Sequence, residues 1–310
     1  MFDIVGKRRW YFAISSLLIL LGLVAMIVSM IRYGSPVRLS IDFTSGSLLE
    51  LQFNQPVPPA EVRQVFVDQG LVNISVQSVG DGRSVIIRSK ELEVEIKKVI
   101  EDSLRAKFGD LTELRFESVG PTVGREVTRS AFLAVAAAAV AILFFIAFAF
   151  RKVPNSFRFG VCAILAVLNN VWVSVGLFSL WGLLFGWEVD ALFLTAILTV
   201  IGFSVSDTIV VFDRIRENIP KRRGEPFEVV VNRSLLETLH RSLATQLNAM
   251  FVLVAILFFG GATIKRFVLT MLLGFVTGTY SSIFNAVPLL VVWETGGLAR
   301  ILRRKGLMQA

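Results

Sequence analysis

The 310-residue sequence has one cysteine, Cys162, and one histidine, His240. A single cysteine excludes an internal disulfide, and we interpret Cys162 as a small side chain buried in an apolar segment. A lone histidine without cysteine or carboxylate partners at ligand spacing does not make a metal site. The sequence also has no phosphate-binding loop, no nucleophile paired with a base and no cofactor fingerprint. We therefore predict no metal, no cofactor and no enzymatic activity.

Charged residues are scarce at 18%, whereas hydrophobic residues make up 54% and include 26 phenylalanines. The apolar residues lie in six blocks, each near the ~20 residues that a membrane-spanning helix needs. This pattern predicts an α-helical integral membrane protein with six spans. The first block has no convincing cleavage site, so we expect it to be retained and not removed as a signal peptide. The predicted spans are 10–31, 130–150, 159–185, 191–212, 243–260 and 267–293.

The predicted topology accounts for the net charge of +8. Basic residues cluster in four places that lie on one side of a six-span protein, and the positive-inside rule makes that side the cytoplasm. Both termini are then cytoplasmic, and the mildly acidic segment between the first two spans is extracytoplasmic. The basic residues therefore do not indicate nucleic-acid binding. The basic clusters are 7–9, 151–158, 214–223 and 300–305.

These features divide the chain into four predicted parts. Residues 1–32 form the cytoplasmic N-terminus and first span, and 33–127 form the extracytoplasmic domain. Residues 128–296 form the remaining five spans, with a cytoplasmic loop of about 214–242, and 297–310 form a basic cytoplasmic tail.

The extracytoplasmic segment has the alternation and turn signals of a small α+β domain. The predicted order is β-α-β-β-α-β, which is typical of a ferredoxin-like fold. The predicted strands are 39–53, 74–79, 84–88 and 113–119, and the predicted helices are 60–69 and 91–108.

Two short segments, 40–47 and 119–127, join this domain to the membrane spans. Glycine releases and proline fixes backbone angles, so this composition suits a defined hinge, although a simple connector is an equal alternative. The candidate hinge residues are Asp42, Gly46, Gly120, Pro121 and Gly124.

Asp207 follows the apolar run of the fourth span, in the sequence GFSVSDTIVVFDRIREN at 202–218. A charged aspartate near a bilayer centre costs at least ~2.5 to 3.5 kcal/mol, so it is neutral, partnered or facing water. Such a residue is functional by default, the alternative being a fixed ion pair that joins two helices. Hydroxyl neighbours such as Ser206 and Thr208 are compatible with either H⁺ or Na⁺.

Asp213 lies six residues further on, among the charges at the cytoplasmic end of the same helix. That spacing separates the two carboxylates by about 120° and ~9 Å along the axis. An aspartic-protease pair needs carboxyl groups in near contact, so the two aspartates do not make a protease.

The fifth span has polar residues at helical spacing, which predicts a polar stripe along one face. A membrane-embedded arginine cannot lose its charge, so Arg241 within this stripe needs an acceptor. Asp207 is one candidate, and Glu237, four residues before the arginine, is the other. The stripe is Ser234, Thr238, Arg241, Thr245 and Asn248.

Two other spans have polar or small residues that predict helix contacts. Asn169 and Asn170 lie side by side in the third span, where amides usually form hydrogen bonds to neighbouring helices. The sixth span repeats small residues that permit close helix packing. These are Gly274, Gly278, Ser281 and Asn285.

With these residues in view, the chain resembles the SecF family, membrane subunits of the bacterial SecDF protein-export complex. The resemblance covers nearly the whole chain and is most specific in the fourth-span motif. The other motifs are IDFTSG at 41–46, VGPTVGREV at 119–127, SLLETLHRSLAT at 234–245 and GTYSSIFNAVP at 278–288.

The resemblance implies a six-helix half of the kind found in resistance-nodulation-division (RND) exporters, with an inserted extracytoplasmic domain. It implies a multi-pass protein of the bacterial cytoplasmic membrane that uses the proton or sodium gradient to promote late translocation of preproteins. The implied partners are SecD as the other half, the Sec translocon channel with its motor ATPase, unfolded preprotein and membrane lipid.

The resemblance also assigns ion coupling to Asp207 and Arg241. We add Ser206, Thr208, Thr245 and Asp213 as candidates, with Glu237 and Asn170 as possible modulators. The chain departs from the family where it has DFTSGS for DFTGG, Asn170 for an acid and Glu237 for a glutamine.

Our hypothesis is that Asp207 alternates between protonated and ionised forms, that Arg241 stabilises the ionised form, and that the hinge passes the change outward. One alternative is a non-conducting scaffold of the translocon. Another is half of a small-molecule or lipid exporter, against which the small size of the outer domain argues.

Overall fold

A computed structural model of the chain describes residues 3–71, 74–79, 81–90, 92–151 and 156–296. The predicted basic tail at 297–310 lies outside these residues. The chain divides into two compact units, Met1–Arg38 with Ala134–Ala310, and Leu39–Leu133. The second unit, here called the outer unit, is shifted by six residues at each end from the predicted 33–127.

The described elements are ten α-helices, four strands, one 3-10 turn (Val5–Lys7) and one π-helical turn. The π-helical turn, Ser282–Ala286, separates the last two helices. In chain order the others are α1 (Arg8–Tyr33), α2 (Ile41–Thr44), β1 (Gly46–Phe53), α3 (Pro59–Asp68), β2 (Ser75–Val79), β3 (Ser84–Ser89), α4 (Val94–Phe108), β4 (Leu111–Val119), α5 (Pro121–Phe150), α6 (Ser156–Phe185), α7 (Ala191–Lys221), α8 (Phe227–Phe259), α9 (Ala262–Ser281) and α10 (Val287–Glu294).

The outer unit has the predicted ferredoxin-like order. Its four strands form an antiparallel sheet in the order β2-β3-β1-β4, so β1 pairs with both β3 and β4. The side chains of one sheet face pack with the apolar faces of α3 and α4 into a core that excludes water. This core includes Leu51, Phe66, Ile87, Ile100 and Leu104, all fully buried.

The first predicted strand is wrong at its start, because residues Ile41–Thr44 form the helical turn α2. The Ser40 hydroxyl accepts a hydrogen bond from the Asp42 N–H at 3.2 Å, which is the N-cap arrangement that favours a helix over a strand. Gly46 then begins β1 at φ +118°, where a Cβ would lie 2.5 Å from the Ser89 carbonyl oxygen. Only glycine fits this close approach.

The two segments that join the outer unit to the spans pack against each other. Gly46 pairs with Val119 in the sheet, and a Cβ on Gly124 would lie 3.2 Å from that of Ser45. Pro121 occupies the first position of α5, where its missing N–H costs nothing. Gly124 is therefore a helical residue in contact with the first segment, and the hinge function of these residues stays a prediction.

In the described part of the chain, six helices are long and apolar enough to cross a membrane, as predicted. They extend beyond the apolar blocks, since α7 continues to Lys221 and α8 begins at Phe227. The predicted loop of about 214–242 is consequently helical except at 222–226. Charge pairs on the helix surface favour this extension, such as Arg214 with Glu217 at 2.9 Å.

Small residues allow close contact between the spans, as predicted for the sixth. A Cβ on Gly274 would lie 2.3 Å from a methyl group of Val200, so α9 approaches α7 closely at this point. Gly22 and Gly176 bring α1 and α6 together in the same way. Cys162 is fully buried, as predicted.

The sixth span contains the π-helical turn between α9 and α10. Pro288, the second residue of α10, has no N–H to donate to the carbonyl of Phe284, and its ring crowds that carbonyl. A wider turn before the proline accommodates this lost bond, and such turns are frequent at functional sites. The first residue of this turn is Ser282.

Candidate ion-coupling site

Asp207 is buried in α7 and has a neutral partner. Its side chain is 9% exposed, and its Oδ2 accepts a hydrogen bond from the Ser282 hydroxyl at 2.6 Å. Among the described residues, no arginine, lysine or histidine forms an ion pair with it. The alternative of a fixed ion pair that joins two helices therefore has no cation to form it in this part of the chain.

The Ser282 hydroxyl has two acceptors within reach. It lies 2.6 Å from Asp207 Oδ2 and 3.1 Å from the backbone oxygen of Thr279. A hydroxyl has one proton to donate and lone pairs to accept with. When Asp207 is ionised, Ser282 donates to it. When Asp207 is protonated, the carboxyl group can donate to Ser282, which then donates to Thr279, so both protonation states are satisfied.

The predicted hydroxyl neighbours of Asp207 do not bind it. Ser206 is exposed, and the Thr208 hydroxyl donates to the Ser204 carbonyl within its own helix at 2.9 Å. Sequence reasoning missed Ser282 because its contact crosses from the sixth span to the fourth. The available signal was Pro288, which disrupts the helix near a serine in an apolar segment.

Arg241 forms neither of its two alternative pairs. The guanidinium is at an exposed position, and no described carboxylate pairs with it. Glu237 accepts instead from Arg214 at 2.6 Å and from the Asn218 amide at 2.9 Å. These two partners occupy the carboxylate that the i,i+4 spacing had offered to Arg241.

Arg241 and Asp213 line one cavity between the C-terminal part of α7 and the N-terminal half of α8. Its volume is about 330 Å³, and its wall carries charges of both signs. Asp213 also pairs with Arg216 at 2.7 Å, one helical turn away. The two predicted coupling residues thus lie together, at a place separate from the hydrogen bond of Asp207. The lining residues are Val210, Asp213, Arg214, Glu217, Glu237, Thr238 and Arg241.

The predicted polar stripe of α8 divides between two faces. Ser234 and Thr238 are buried, whereas Arg241, Thr245 and Asn248 are exposed. The Thr245 hydroxyl donates to the Arg241 carbonyl at 3.0 Å, within the helix. The buried polar row follows a strict spacing of four, which matches the ridges by which helices pack. It consists of Ser234, Thr238, Ser242 and Gln246.

The third-span amides form the predicted hydrogen bonds to another helix. The Asn169 amide donates to the Ser281 hydroxyl at 3.4 Å. The Asn170 carbonyl oxygen accepts from the Thr277 hydroxyl at 2.8 Å. Both amides therefore tie α6 to α9, and whether Asn170 modulates ion coupling stays a prediction.

Within the described part of the chain, no three histidine, cysteine, aspartate or glutamate side chains are grouped to hold a metal ion. The chemistry this arrangement supports is proton exchange at one buried carboxylate.

Two family descriptions match the sequence. "Protein export membrane protein SecD/SecF, C-terminal" matches residues 99–296, and "SecD/SecF GG Motif" matches residues 34–57. Curated relatives include the protein translocase subunit SecF of Thermobaculum terrenum, 48% identical over 98% of each chain. The SecF subunit of Anaerolinea thermophila is 47% identical over 96% of this chain and 95% of its own.

Solved structures of SecDF proteins share the fold. The crystal structure of the translocon-associated membrane protein SecDF from Thermus thermophilus is 33% identical and covers 95% of this chain with a TM-score of 0.79. SecDF in its super-membrane-facing form is 32% identical and covers 98% with a TM-score of 0.65. This chain spans only 39% and 40% of those longer chains.

Proposed function

Because the chain belongs to the SecD/SecF family of protein export membrane proteins, we propose that it uses the proton gradient to drive late steps of export. Family membership makes it an accessory component of protein export with six membrane helices. Its location in this proposal is the bacterial cytoplasmic membrane, with both termini cytoplasmic and the outer unit extracytoplasmic.

The proposed partner is a SecD-type protein that supplies the other half of the complex. The relatives and solved structures named SecDF are more than twice as long as this chain, as expected if they carry both halves. The Sec translocon channel, its motor ATPase, unfolded preprotein and membrane lipid complete the proposed set of partners.

One observation carries the proposal: the buried Asp207 carboxylate has a neutral hydroxyl partner at 2.6 Å and no described cation. A fixed positive charge would hold the carboxylate in its ionised form. A serine does not, because its hydroxyl can donate to the ionised group or accept from the protonated one. In this proposal Asp207 therefore exchanges a proton. A single carboxylate with one hydroxyl partner suits a proton as the coupling ion better than a metal cation, which needs several oxygen ligands.

The available energy is sufficient for a mechanical bias. One charge that crosses a 100 mV potential releases ~2.3 kcal/mol, which shifts a two-state equilibrium nearly 50-fold. In the proposed cycle, protonated Asp207 donates to the Ser282 hydroxyl, which turns to donate its own hydrogen bond to the Thr279 carbonyl and so alters the π-helical turn. Arg241 and Asp213 serve the cytoplasmic side of this path, in the cavity they share.

The two segments that join the outer unit to the spans would transmit the change. Because the two segments are in contact through Gly124 and Ser45, they move together in this proposal and turn the outer unit as one body. The hinge residues in this proposal remain Asp42, Gly46, Gly120, Pro121 and Gly124.

The test is preprotein movement in vesicles that contain the chain and its SecD partner. A preprotein is trapped midway, ATP is removed, a proton gradient is imposed, and the length of preprotein protected inside the vesicles is followed. We expect Asp207→Asn to abolish the gradient-driven movement, because an amide keeps a hydrogen bond but cannot exchange a proton. Glu225→Gln is the matched control, since it also replaces a carboxylate by an amide, but in the loop at 222–226.

If Asp207→Asn moves preprotein as well as the wild type does, Asp207 is a structural anchor. The non-conducting scaffold then becomes the better description of the protein.

A further inference from the structure

Gly278 in α9 faces two buried polar side chains of neighbouring helices. A Cβ at Gly278 would lie 3.1 Å from Asn170 Nδ2 and 3.7 Å from Ser204 Oγ. Asn170 belongs to α6 and Ser204 to α7, and the two are only 1% and 2% exposed. Three spans therefore pack closely at a point where the residue on α9 has no side chain.

Neither of these two polar atoms has a hydrogen-bond partner among the described residues. A buried polar group without a partner is unfavourable, and most of all inside a membrane, where bulk water does not reach it. The two distances to the Gly278 position add to 6.8 Å, so the nitrogen and the oxygen are no farther apart than that. One water molecule can bond to both atoms, at ~2.8 Å each, where their separation is no more than about 5.6 Å.

We propose that Asn170, Ser204 and Gly278 form a water-binding niche, and that its water is the last carrier of the proton to Asp207 from the extracytoplasmic side. This inference rests on the proposed exchange of a proton at Asp207. The water would accept a hydrogen bond from the Asn170 amide and would donate to or accept from the Ser204 hydroxyl. Buried waters typically make about three hydrogen bonds.

The position of the niche relative to Asp207 supports this assignment. Ser204 precedes Asp207 by three residues, which is ~4.5 Å along the helix and ~60° around it. The two side chains therefore share one face of α7. In the proposed topology α7 starts outside, so Ser204 lies on the outer side of Asp207.

A hydrogen-bonded row continues from the niche toward the outer ends of α6 and α9. The Asn170 carbonyl oxygen accepts from Thr277 at 2.8 Å, and the Thr277 hydroxyl lies 3.2 Å from that of Ser174. Ser174 follows Asn170 by one turn on α6, in the outward direction. This row orients the Asn170 amide so that its nitrogen faces the niche.

The proton transfer needs no reactant other than the niche water. The niche water gives a proton to the Asp207 carboxylate, where an O–H bond forms, and the water takes a proton from the outer side as its own O–H bond breaks. The only described partner of Asp207 is the neutral Ser282, so no described cation competes for the carboxylate.

The rate of Asp207 protonation from the outside tests this inference. The full chain and its SecD partner are reconstituted in vesicles, the medium is acidified rapidly, and the infrared band of the protonated carboxyl group is followed. The band that Asp207→Asn removes identifies the residue. We expect Asn170→Leu and Ser204→Ala each to slow its growth about tenfold with unchanged final amplitude, as for a loss of one hydrogen bond in the path.

Asn169→Leu is the matched control, because it removes the neighbouring amide, which bonds to Ser281 and not to the niche. Its rate should remain within about twofold of wild type. Ser204→Ala removes a single oxygen atom, so it decides the question if Asn170→Leu does not fold.

If the band of protonated Asp207 grows in Ser204→Ala at the wild-type rate and to the full amplitude, the niche does not carry the proton. The proposed function would still stand. If the wild type shows no band that Asp207→Asn removes, Asp207 does not titrate, and the proposed function and the niche are both wrong.

Discussion

Asp207 and Asp213 lie on the same helix, six residues apart, in opposite electrostatic surroundings. Asp207 is buried and accepts from one neutral hydroxyl at 2.6 Å. Asp213 lies at a charged cavity and pairs with Arg216 at 2.7 Å. A pair near solvent is screened by water and salt, whereas a buried carboxylate with a neutral partner has no opposite charge beside it. The two carboxylates thus differ in their partners, and ion coupling at either one stays a prediction.

A third carboxylate with different surroundings lies in the outer unit, where Glu101 has low exposure and lies beside a cation. Glu101 lies 3.5 Å from Lys97, one helical turn away on α4. Burial raises the pKa of Glu101, and the neighbouring Glu113 raises it further, while Lys97 opposes the shift. The cation here also serves Glu113, so its charge is shared between two carboxylates.

The largest expected effect follows from the removal of the neutral partner of Asp207. Ser282→Ala leaves the ionised carboxylate without a described donor, and a hydrogen bond to a charged group is worth ~1.5 to 3 kcal/mol. We expect proton uptake by vesicles that contain the complex to fall about 10- to 100-fold. Ser282→Thr, which keeps the hydroxyl, should retain most of the uptake.

The neighbouring serine provides the control for this comparison. Ser281 donates to the Ala166 carbonyl at 2.8 Å and has no bond to Asp207. Ser281→Ala should therefore leave uptake within about threefold of wild type. Equal losses in the two variants would mean that the serines act only by packing α9.

An intermediate effect is expected from Glu101→Gln. It is a difference in thermal stability between this variant and the wild type that depends on pH. Because the folded state raises the pKa of Glu101 above its ordinary 4.5, the folded state binds the proton more tightly than the unfolded state. That contribution is fully present below the ordinary pKa and is lost as pH rises through the raised value. The glutamine stays neutral, so the variant should match wild type in acid and exceed it in thermal stability near neutral pH.

Thermal unfolding of the detergent-solubilised chain over a series of pH values measures this difference. A stability gap that is the same at every pH would show that the exchange acts through lost contacts with Lys97 and not through the charge of Glu101.

The smallest effect is expected from Asp213→Asn. Its partner Arg216 is accessible to solvent, and exposed ion pairs are worth ~0.2 to 1 kcal/mol. The free energy of unfolding in denaturant should fall by no more than about 1 kcal/mol, and less at high salt. A larger loss, insensitive to salt, would indicate that Asp213 is held in place by the cavity and is not a screened surface charge.

The fold could be predicted from local patterns to a large extent. Six apolar blocks gave six helices, and the alternation with turn signals gave the order of the outer unit. Boundaries were less predictable, because hydropathy does not register the charged ends of a helix. The residues at 214–221 are polar yet helical, since their charges pair along the helix surface.

The candidate site could be predicted only in part. The buried carboxyl group of Asp207 is evident from its place in an apolar run, whereas the acceptor predicted for Arg241 is not found among the described carboxylates, and the arginine is exposed. Their pairing was not predictable, because Glu237 had competing partners in Arg214 and Asn218.

The sequence by itself determined the membrane class, the number of spans, the inserted α+β unit and the presence of one intramembrane carboxylate. These properties follow from the period and length of apolar runs, which act locally along the chain. The tertiary structure alone decided that Ser282 binds Asp207 and that Asn170 and Ser204 meet at Gly278. The contacts of Ser282 with Asp207, and of Gly278 with Asn170 and Ser204, join residues more than 70 positions apart. Their geometry depends on how closely three helices pack around a glycine and a π-helical turn.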